Sequence, residues 1–219
     1  MNARHRSKVG EDVRSAVERG VDVQNTVRDI TLKALTGGGL DTQAMRKVAH
    51  DVAGGVQLGL ERHGKDAGAV LEKAYTGLDE AFAKAAEATT LALKEASGNT
   101  RNFVKNDLGR MMDELKTLED LYLDALRTTA SQGREHAATA ARQFAEHAAN
   151  SGTAVGRQVQ AGLAEWGPLA HIAQEQLRQG VTTGLEAGAL VARAASGFLA
   201  AIAERLEPGN RQGPKTKGP

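Results

Sequence analysis

The stretch that decides the fold is AGAVLEKAYTGLDEAFAKAAEATTLAL, residues 67–93. Apolar and small side chains recur along it in steps of four, three, four, four, three, four and four residues. They form one stripe, made of Ala67, Leu71, Ala74, Leu78, Phe82, Ala85, Thr89 and Leu93. The steps repeat every eleven residues, or about 3.67 residues per turn, so the stripe runs nearly straight along a helix. This pattern predicts a long helix that lies on a flat surface or along a parallel neighbour.

The chain before this stretch shows the same helical spacing, interrupted by glycines. An apolar pattern stops at Gly37-Gly38-Gly39, and Asp41 then offers a side-chain oxygen as the N-cap of a second helix. Four glycines weaken this second helix by roughly 1 kcal/mol each relative to alanine; they are Gly54, Gly55, Gly59 and Gly64. We therefore expect a kink or short break at residues 63–66.

The chain after this stretch contains two further helical patterns. Residues 100–149 predict a helix that, if continuous, would be roughly 75 Å long. A break is expected at Ser151-Gly152-Thr153, and the last pattern runs from 154 to 206 with an interruption at Gly167-Pro168. No stretch alternates apolar and polar residues as a strand does.

These patterns predict an all-α fold, an elongated bundle or open hairpins of four to five long amphipathic helices with a disordered C-terminal tail. The expected organisation is an N-terminal helix at 1–36, a Gly-rich linker at 37–40, a long-helix bundle at 41–206 and the tail at 207–219.

Composition excludes several classes of function. The 28 Lys and Arg residues nearly balance the 27 Asp and Glu residues, so no net charge attracts nucleic acid or acidic membranes. No cysteine is present, which excludes disulfides and thiolate chemistry. The most apolar window, residues 187–203, contains Arg193 and is short for a membrane span of about 20 residues. We expect a cytoplasmic protein that is not transmembrane and binds no specific nucleic acid.

The polar residues show no catalytic, cofactor-binding or metal-binding motif, and we expect no cofactor. His136 and His147 are eleven residues apart, which is about 16 Å along a helix and too far to share a metal ion. A divalent ion at the acidic cluster is the weaker alternative to a solvated helix face; the cluster is Asp113, Glu114, Glu119, Asp120 and Asp124. The triple glycine lacks the Lys-Ser or Lys-Thr of a phosphate-binding loop.

Two segments carry a resemblance to a known family: LDEAFAKAAEA at residues 78–88 and AARQFAEHA at residues 140–148. With the chain length, the alanine-rich amphipathic helices and the absence of cysteine, they resemble the phasins, bacterial proteins that coat polyhydroxyalkanoate granules. The resemblance is one of composition and helical pattern, and it spans most of residues 66–206. It implies a non-catalytic protein that is associated with a granule or membrane surface, and it transfers no functional residue.

Three functions follow from these observations. The first is a coat on an apolar granule or lipid surface, for which the expected adsorbing residues are Leu71, Leu78, Phe82, Leu185, Phe198 and Ile202. Small side chains bury little area, so a weak self-packed state could exchange with the surface-bound state. The alternative is a helical interaction protein or coiled-coil scaffold, and we expect a homo-oligomer. An enzyme would need convergent titratable groups, which the sequence does not offer.

Overall fold

The computed structural model describes residues 7–38, 42–99, 105–133 and 135–164, and no strand occurs in these ranges. They contain α1 (Lys8–Arg19), α2 (Val23–Gly38), α3 (Thr42–Leu60), a 3-10 turn (Gly64–Asp66), α4 (Ala67–Asn99), α5 (Lys105–Gln132) and α6 (Glu135–Ser151). A last helical segment follows at residues 154–164. The all-α prediction is confirmed, as is the break at 63–66. The predicted tail at 207–219 and the interruption at Gly167-Pro168 lie outside the described residues.

The N-terminal segment, predicted as one helix, is divided into α1 and α2. Gly20 ends α1 in the left-handed conformation, with φ at 68°, and its N–H bonds the carbonyls of Ala16 and Val17. Asp22 also has a positive φ, 48°, and its carbonyl accepts from the Thr26 N–H in the first turn of α2. Two left-handed residues so close together reverse the chain, which the valine spacing did not reveal.

The helix expected over residues 100–149 is likewise two helices. Gly133 ends α5, and its N–H bonds the carbonyl of Thr129. The continuous 75 Å helix is therefore wrong, because the chain turns back at this glycine and α6 packs on α5. The predicted break after α6 is present, since Gly152 adopts a φ of 75° before the segment at 154–164 begins.

The helices form stacked hairpins in two layers. Helices α1, α3 and α5 lie side by side in one layer, and α2, α4 and α6 lie side by side in the other. The ends of α1 and α3 meet where the His63 ring nitrogen Nε2 donates to the Val17 carbonyl at 2.6 Å. In the second layer, α4 lies beside α2 through Gln24 and Glu80, whose side chains are 2.6 Å apart. Helix α4 is thus central, with neighbours on three sides.

The apolar stripe of α4 lies in the core. Its members from Ala67 to Thr89 are all buried, whereas the Leu93 side chain lies outside the described part. The surface against which this straight stripe lies is thus formed by the other helices of the same chain.

The glycines of α3 serve close packing. A Cβ atom at Gly55 would lie 2.5 Å from the Gly10 carbonyl oxygen, and one at Gly59 would lie 2.6 Å from the Val17 Cβ. Helix α1 therefore rests directly on the backbone of α3. Gly54 points away from this contact, and in the described part nothing lies within 4 Å of a Cβ built there.

Candidate functional site: a buried polar cluster beside α4

The expected adsorbing residues are not at the surface of the closed bundle. Leu71, Leu78 and Phe82 are each 0% exposed. Leu185, Phe198 and Ile202 lie outside the described residues. The large apolar side chains that are exposed in the described part are Val21 and Leu91. Contact between the three buried residues and a foreign surface therefore requires the bundle to open.

The most distinctive polar feature is Asp79, which caps a helix in another part of the chain. Its Oδ2 accepts from the N–H of Ala154 at 2.7 Å, and its Oδ1 accepts from the N–H of Val155 at 2.8 Å. These donors belong to the first turn of the segment at 154–164, where N–H groups have no partner within their own helix. The carboxylate also sits at the positive end of that helix dipole. Asp79 thereby fastens this segment to α4.

Thr153 completes the cap and links it to α5. Its Oγ1 accepts from the N–H of Gly156 at 2.8 Å, as an N-cap hydroxyl does. The same hydroxyl donates to Oε1 of Glu119 at 3.1 Å. The segment at 154–164 is therefore held by polar contacts to both α4 and α5.

Two buried tyrosines lie on the α4–α5 side of the cluster. The Tyr75 hydroxyl donates to the Ala125 carbonyl at 2.8 Å and lies 2.5 Å from the Thr129 hydroxyl. The rings of Tyr75 and Tyr122 meet edge to face, with centroids 6.2 Å apart. Burial raises the pKa of both phenols, and the negative charge of Asp79 further raises that of Tyr122. Both tyrosines are therefore neutral phenols rather than phenolates.

Burial also raises the pKa of the Asp79 carboxyl, against the lowering effect of the two backbone N–H groups and of the Arg157 charge. The carboxylate is thus stabilised by its donors but destabilised by its surroundings. Within the described ranges, no three His, Cys, Asp or Glu side chains are grouped so as to hold a metal ion. The arrangement thus offers hydrogen bonds that hold the segment at 154–164 against α4 and α5.

The sequence motifs missed this cluster. The sequence predicts Glu119 on an acidic, solvated face, yet its carboxylate accepts from the Thr153 hydroxyl across the bundle. Asp120 and Asp124 are exposed, as expected for such a face. The sequence did contain a signal for Asp79, since this residue lies between Leu78 and Phe82 of the apolar stripe. A carboxylate beside a buried stripe needs a hydrogen-bond donor or an opposite charge.

A second feature is a shallow groove on the outer face of α3, lined by Gln43, Ala44, Arg46, Lys47 and His50. It is open to solvent, and Lys47 pairs with Asp51 at 2.7 Å on the same helix. This arrangement is that of a solvated, basic helix face. None of the helices in the described ranges is long and apolar enough to cross a membrane.

Comparison with known proteins identifies one relationship. No curated protein and no solved structure shows a significant match to the chain. One family model matches residues 2–208 and so covers all the helices described above. The chain therefore belongs to the DUF6781 family, a family of unknown function.

Proposed function

We propose that this protein is a non-catalytic amphipathic helical protein that coats an apolar surface, a storage granule or lipid, in the manner of a phasin. The observation that carries the proposal is the arrangement of each described helix, which directs one apolar face inward and a polar face outward. An amphipathic helix can bury its apolar face against other helices or at an interface. The same residues, Leu71, Leu78 and Phe82 among them, would then serve both states.

Opening of the bundle has a natural starting point at its C-terminal side. Among the described side chains of α6, those that are fully or nearly buried are all alanines, Ala137, Ala138, Ala141 and Ala148, and the larger Phe144 is only partly buried against the core. Each of these alanines contributes about 0.8 kcal/mol of burial, against about 1.5–3 kcal/mol for a leucine or phenylalanine. Gly68 and Ala140 also meet at an ordinary distance, since a Cβ at Gly68 would lie 3.6 Å from that of Ala140. By contrast, α1 and α3 touch through their backbones.

The segment at 154–164 carries an apolar strip of its own. Val155 and Val159 are buried, and Leu163 packs partly against the core. A Cβ at Gly162 would lie 3.7 Å from Cδ1 of Leu115, so the segment also covers this leucine of α5. Release of this segment would present its own apolar strip, and the apolar surface that it covers, to an interface. The polar outer face would stay in water.

A reversible disulfide tests whether surface binding requires this release. Thr90 and Gly162 are suited to it, because a Cβ at 162 would lie 3.8 Å from the Thr90 Cβ, close to the spacing found in disulfides. The chain has no native cysteine, so the double variant Thr90→Cys/Gly162→Cys forms one defined bond. The probes are vesicles of phosphatidylcholine and phosphatidylglycerol and particles of polyhydroxybutyrate.

We expect the reduced variant to float with the vesicles or sediment with the particles, and the oxidised form to remain in solution. The reduced form is the matched control, since it differs only by the disulfide. Failure of the wild-type chain and of the reduced variant to bind either probe would refute the coating function. Equal binding by the oxidised and reduced forms would refute the role of opening at this segment.

A helical interaction scaffold is the second candidate, and the stacking of hairpins in two layers favours it. Stacked helical hairpins form extended surfaces that bind partner proteins. This candidate expects a concentration-dependent homo-oligomer and cooperative unfolding without any surface present. Light scattering coupled to size exclusion measures the first property, and a monomer at all concentrations would argue against an oligomeric scaffold.

A further inference from the structure

We propose that Asp79 is a latch that holds the helical segment at 154–164 closed, and that the Tyr122 hydroxyl becomes the carboxylate's donor when this segment swings away about Gly152. The inference rests on the proposed function, in which release of this segment is the first step of opening. Asp79 is then the residue that controls this release, and the Tyr122 hydroxyl is the group that stabilises the released state.

The closed position of the latch is defined by two hydrogen bonds at one carboxylate. The N–H groups of Ala154 and Val155 both point at Asp79, which is 75 and 76 residues earlier in the chain. Detachment of the segment breaks both bonds together, because the two donors are neighbours in one helical turn. Gly152, at a φ of 75°, precedes this turn and provides a hinge without a side chain.

The rest of the segment contributes less to its attachment. Its fully or nearly buried apolar side chains are two valines, Val155 and Val159. The other hydrogen bond that the described residues give between this turn and a different helix is the one from Thr153 to Glu119, at 3.1 Å. The Asp79 carboxylate, with two short charge-assisted bonds, is thus the strongest single attachment.

Tyr122 supplies the second position of the latch. Its side chain is 1% exposed, and its hydroxyl makes no hydrogen bond to any residue of the described part. The Tyr122 ring contacts that of Tyr75, which lies one turn before Asp79 on the same face of α4. Glu119, one turn before Tyr122 on α5, bonds Thr153 next to the residues that Asp79 caps, so Tyr122 lies beside the carboxylate. A buried polar group without a partner is costly, as is a carboxylate that has lost its donors. A hydrogen bond between the two satisfies both once the backbone N–H groups have left.

The charged groups that face the carboxylate make the latch releasable. Arg157 of the segment lowers the pKa of Asp79 and Glu80 of α4 raises it, while burial has the largest effect and raises it. The net effect of the closed site is to raise the pKa of this carboxyl, so burial opposes the charge that the two backbone donors stabilise. Opening at an apolar surface exchanges burial of Val159 and Leu163 in the bundle for burial at the interface, so little apolar burial is lost when a surface is present.

Thiol labelling of the full chain in solution tests the latch. Val159→Cys places the chain's only thiol at a buried position of the segment, and Ala141→Cys places one at a buried position of α6. Each is combined with Asp79→Ala, with the control Glu80→Ala at the neighbouring carboxylate, or with neither. The rate of modification by a maleimide reports how often each site opens.

We expect Asp79→Ala to accelerate labelling at position 159 by about tenfold, the range of a lost helix cap. Asp79→Asn keeps one acceptor and should give a smaller acceleration. Glu80→Ala should change the rate by less than about twofold, because Glu80 pairs with Arg28 of α2 at 3.6 Å in a partly exposed site. Labelling at position 141 should not change. Equal acceleration at 141 and 159, or by Glu80→Ala and Asp79→Ala, would overturn the latch.

Tyr122→Phe tests the second position. If the Tyr122 hydroxyl stabilises the released state, its removal should slow labelling at position 159 by about fivefold, because the freed carboxylate then lacks a donor. A hydroxyl that merely supported the closed packing would give faster labelling instead, and that result would refute the exchange of partners. No surface is present in these measurements, so their failure is distinguishable from failure of the coating function.

Discussion

Adjacent glycines in α3 provide a sharp test of the packing between α1 and α3. Gly54 and Gly55 lie in the same helix, so replacing either by alanine raises helix propensity by the same amount, about 1 kcal/mol. They differ in their surroundings. In the described part nothing lies within 4 Å of a Cβ at Gly54, whereas a Cβ at Gly55 would lie 2.5 Å from the Gly10 carbonyl oxygen and 2.9 Å from the Val13 Cβ.

The expected free energies of unfolding follow from these distances. Gly54→Ala should stabilise the protein by about 1 kcal/mol, because only the propensity changes. Gly55→Ala gains the same propensity but forces α1 away from α3, and overpacking costs about 1–3 kcal/mol. The obstacle is backbone and Cβ rather than a movable side-chain end, so we expect the upper part of that range. The difference between the two variants should therefore be about 2–3 kcal/mol.

Urea unfolding followed by circular dichroism measures both variants. For a chain of this size, a difference of about 1 kcal/mol corresponds to about 2–4 °C in Tm, so the variants should also separate in thermal melts. If Gly55→Ala stabilises the protein as much as Gly54→Ala does, the direct contact between α1 and α3 is refuted.

Two further predictions concern the polar cluster. Burial raises the folded-state pKa of Asp79 above its ordinary value of 3.8, so its contribution to stability is fully present below that value and is lost as pH rises to the raised pKa. The stability of the wild type relative to Asp79→Asn should therefore fall as pH rises above 3.8, as measured by urea unfolding; a difference that grows with pH would contradict this sign. Tyr75→Phe should cost about 1–2 kcal/mol in the same assay, because it removes a bond to a backbone carbonyl and leaves the buried Thr129 hydroxyl without this partner; an unchanged midpoint would show that these bonds contribute nothing net.

Much of the fold was predictable because helical periodicity is a local property. The spacing of Leu71, Leu78 and Phe82 identified the buried face of α4, and all three are in the core. The glycines near residue 64 and at 152 marked real ends of helices. The divisions at Gly20 and Gly133 were missed, because apolar spacing continues across them and a glycine that ends a helix leaves no mark on the periodicity.

The candidate site was not predictable in the same way. Asp79 and Val155 are 76 residues apart, and nothing in the spacing of either segment relates them. Glu119 was read as part of a solvated acidic face, although its carboxylate reaches Thr153 on a different helix. A carboxylate beside an apolar stripe indicates that a partner is needed, but the identity of the partner depends on which helices are neighbours.

The amino-acid sequence by itself determined that the chain is helical, where most helices begin and end, and which face of each is apolar, since these properties depend on residues within a turn or two of one another. Only the tertiary structure decided that α1 lies beside α3 and α4 beside α6, and hence that Gly55 is a contact point and Gly54 is not. Which apolar faces meet depends on the close fit of surfaces far apart in the chain, and many pairings of alanine-rich helices share the same periodicity.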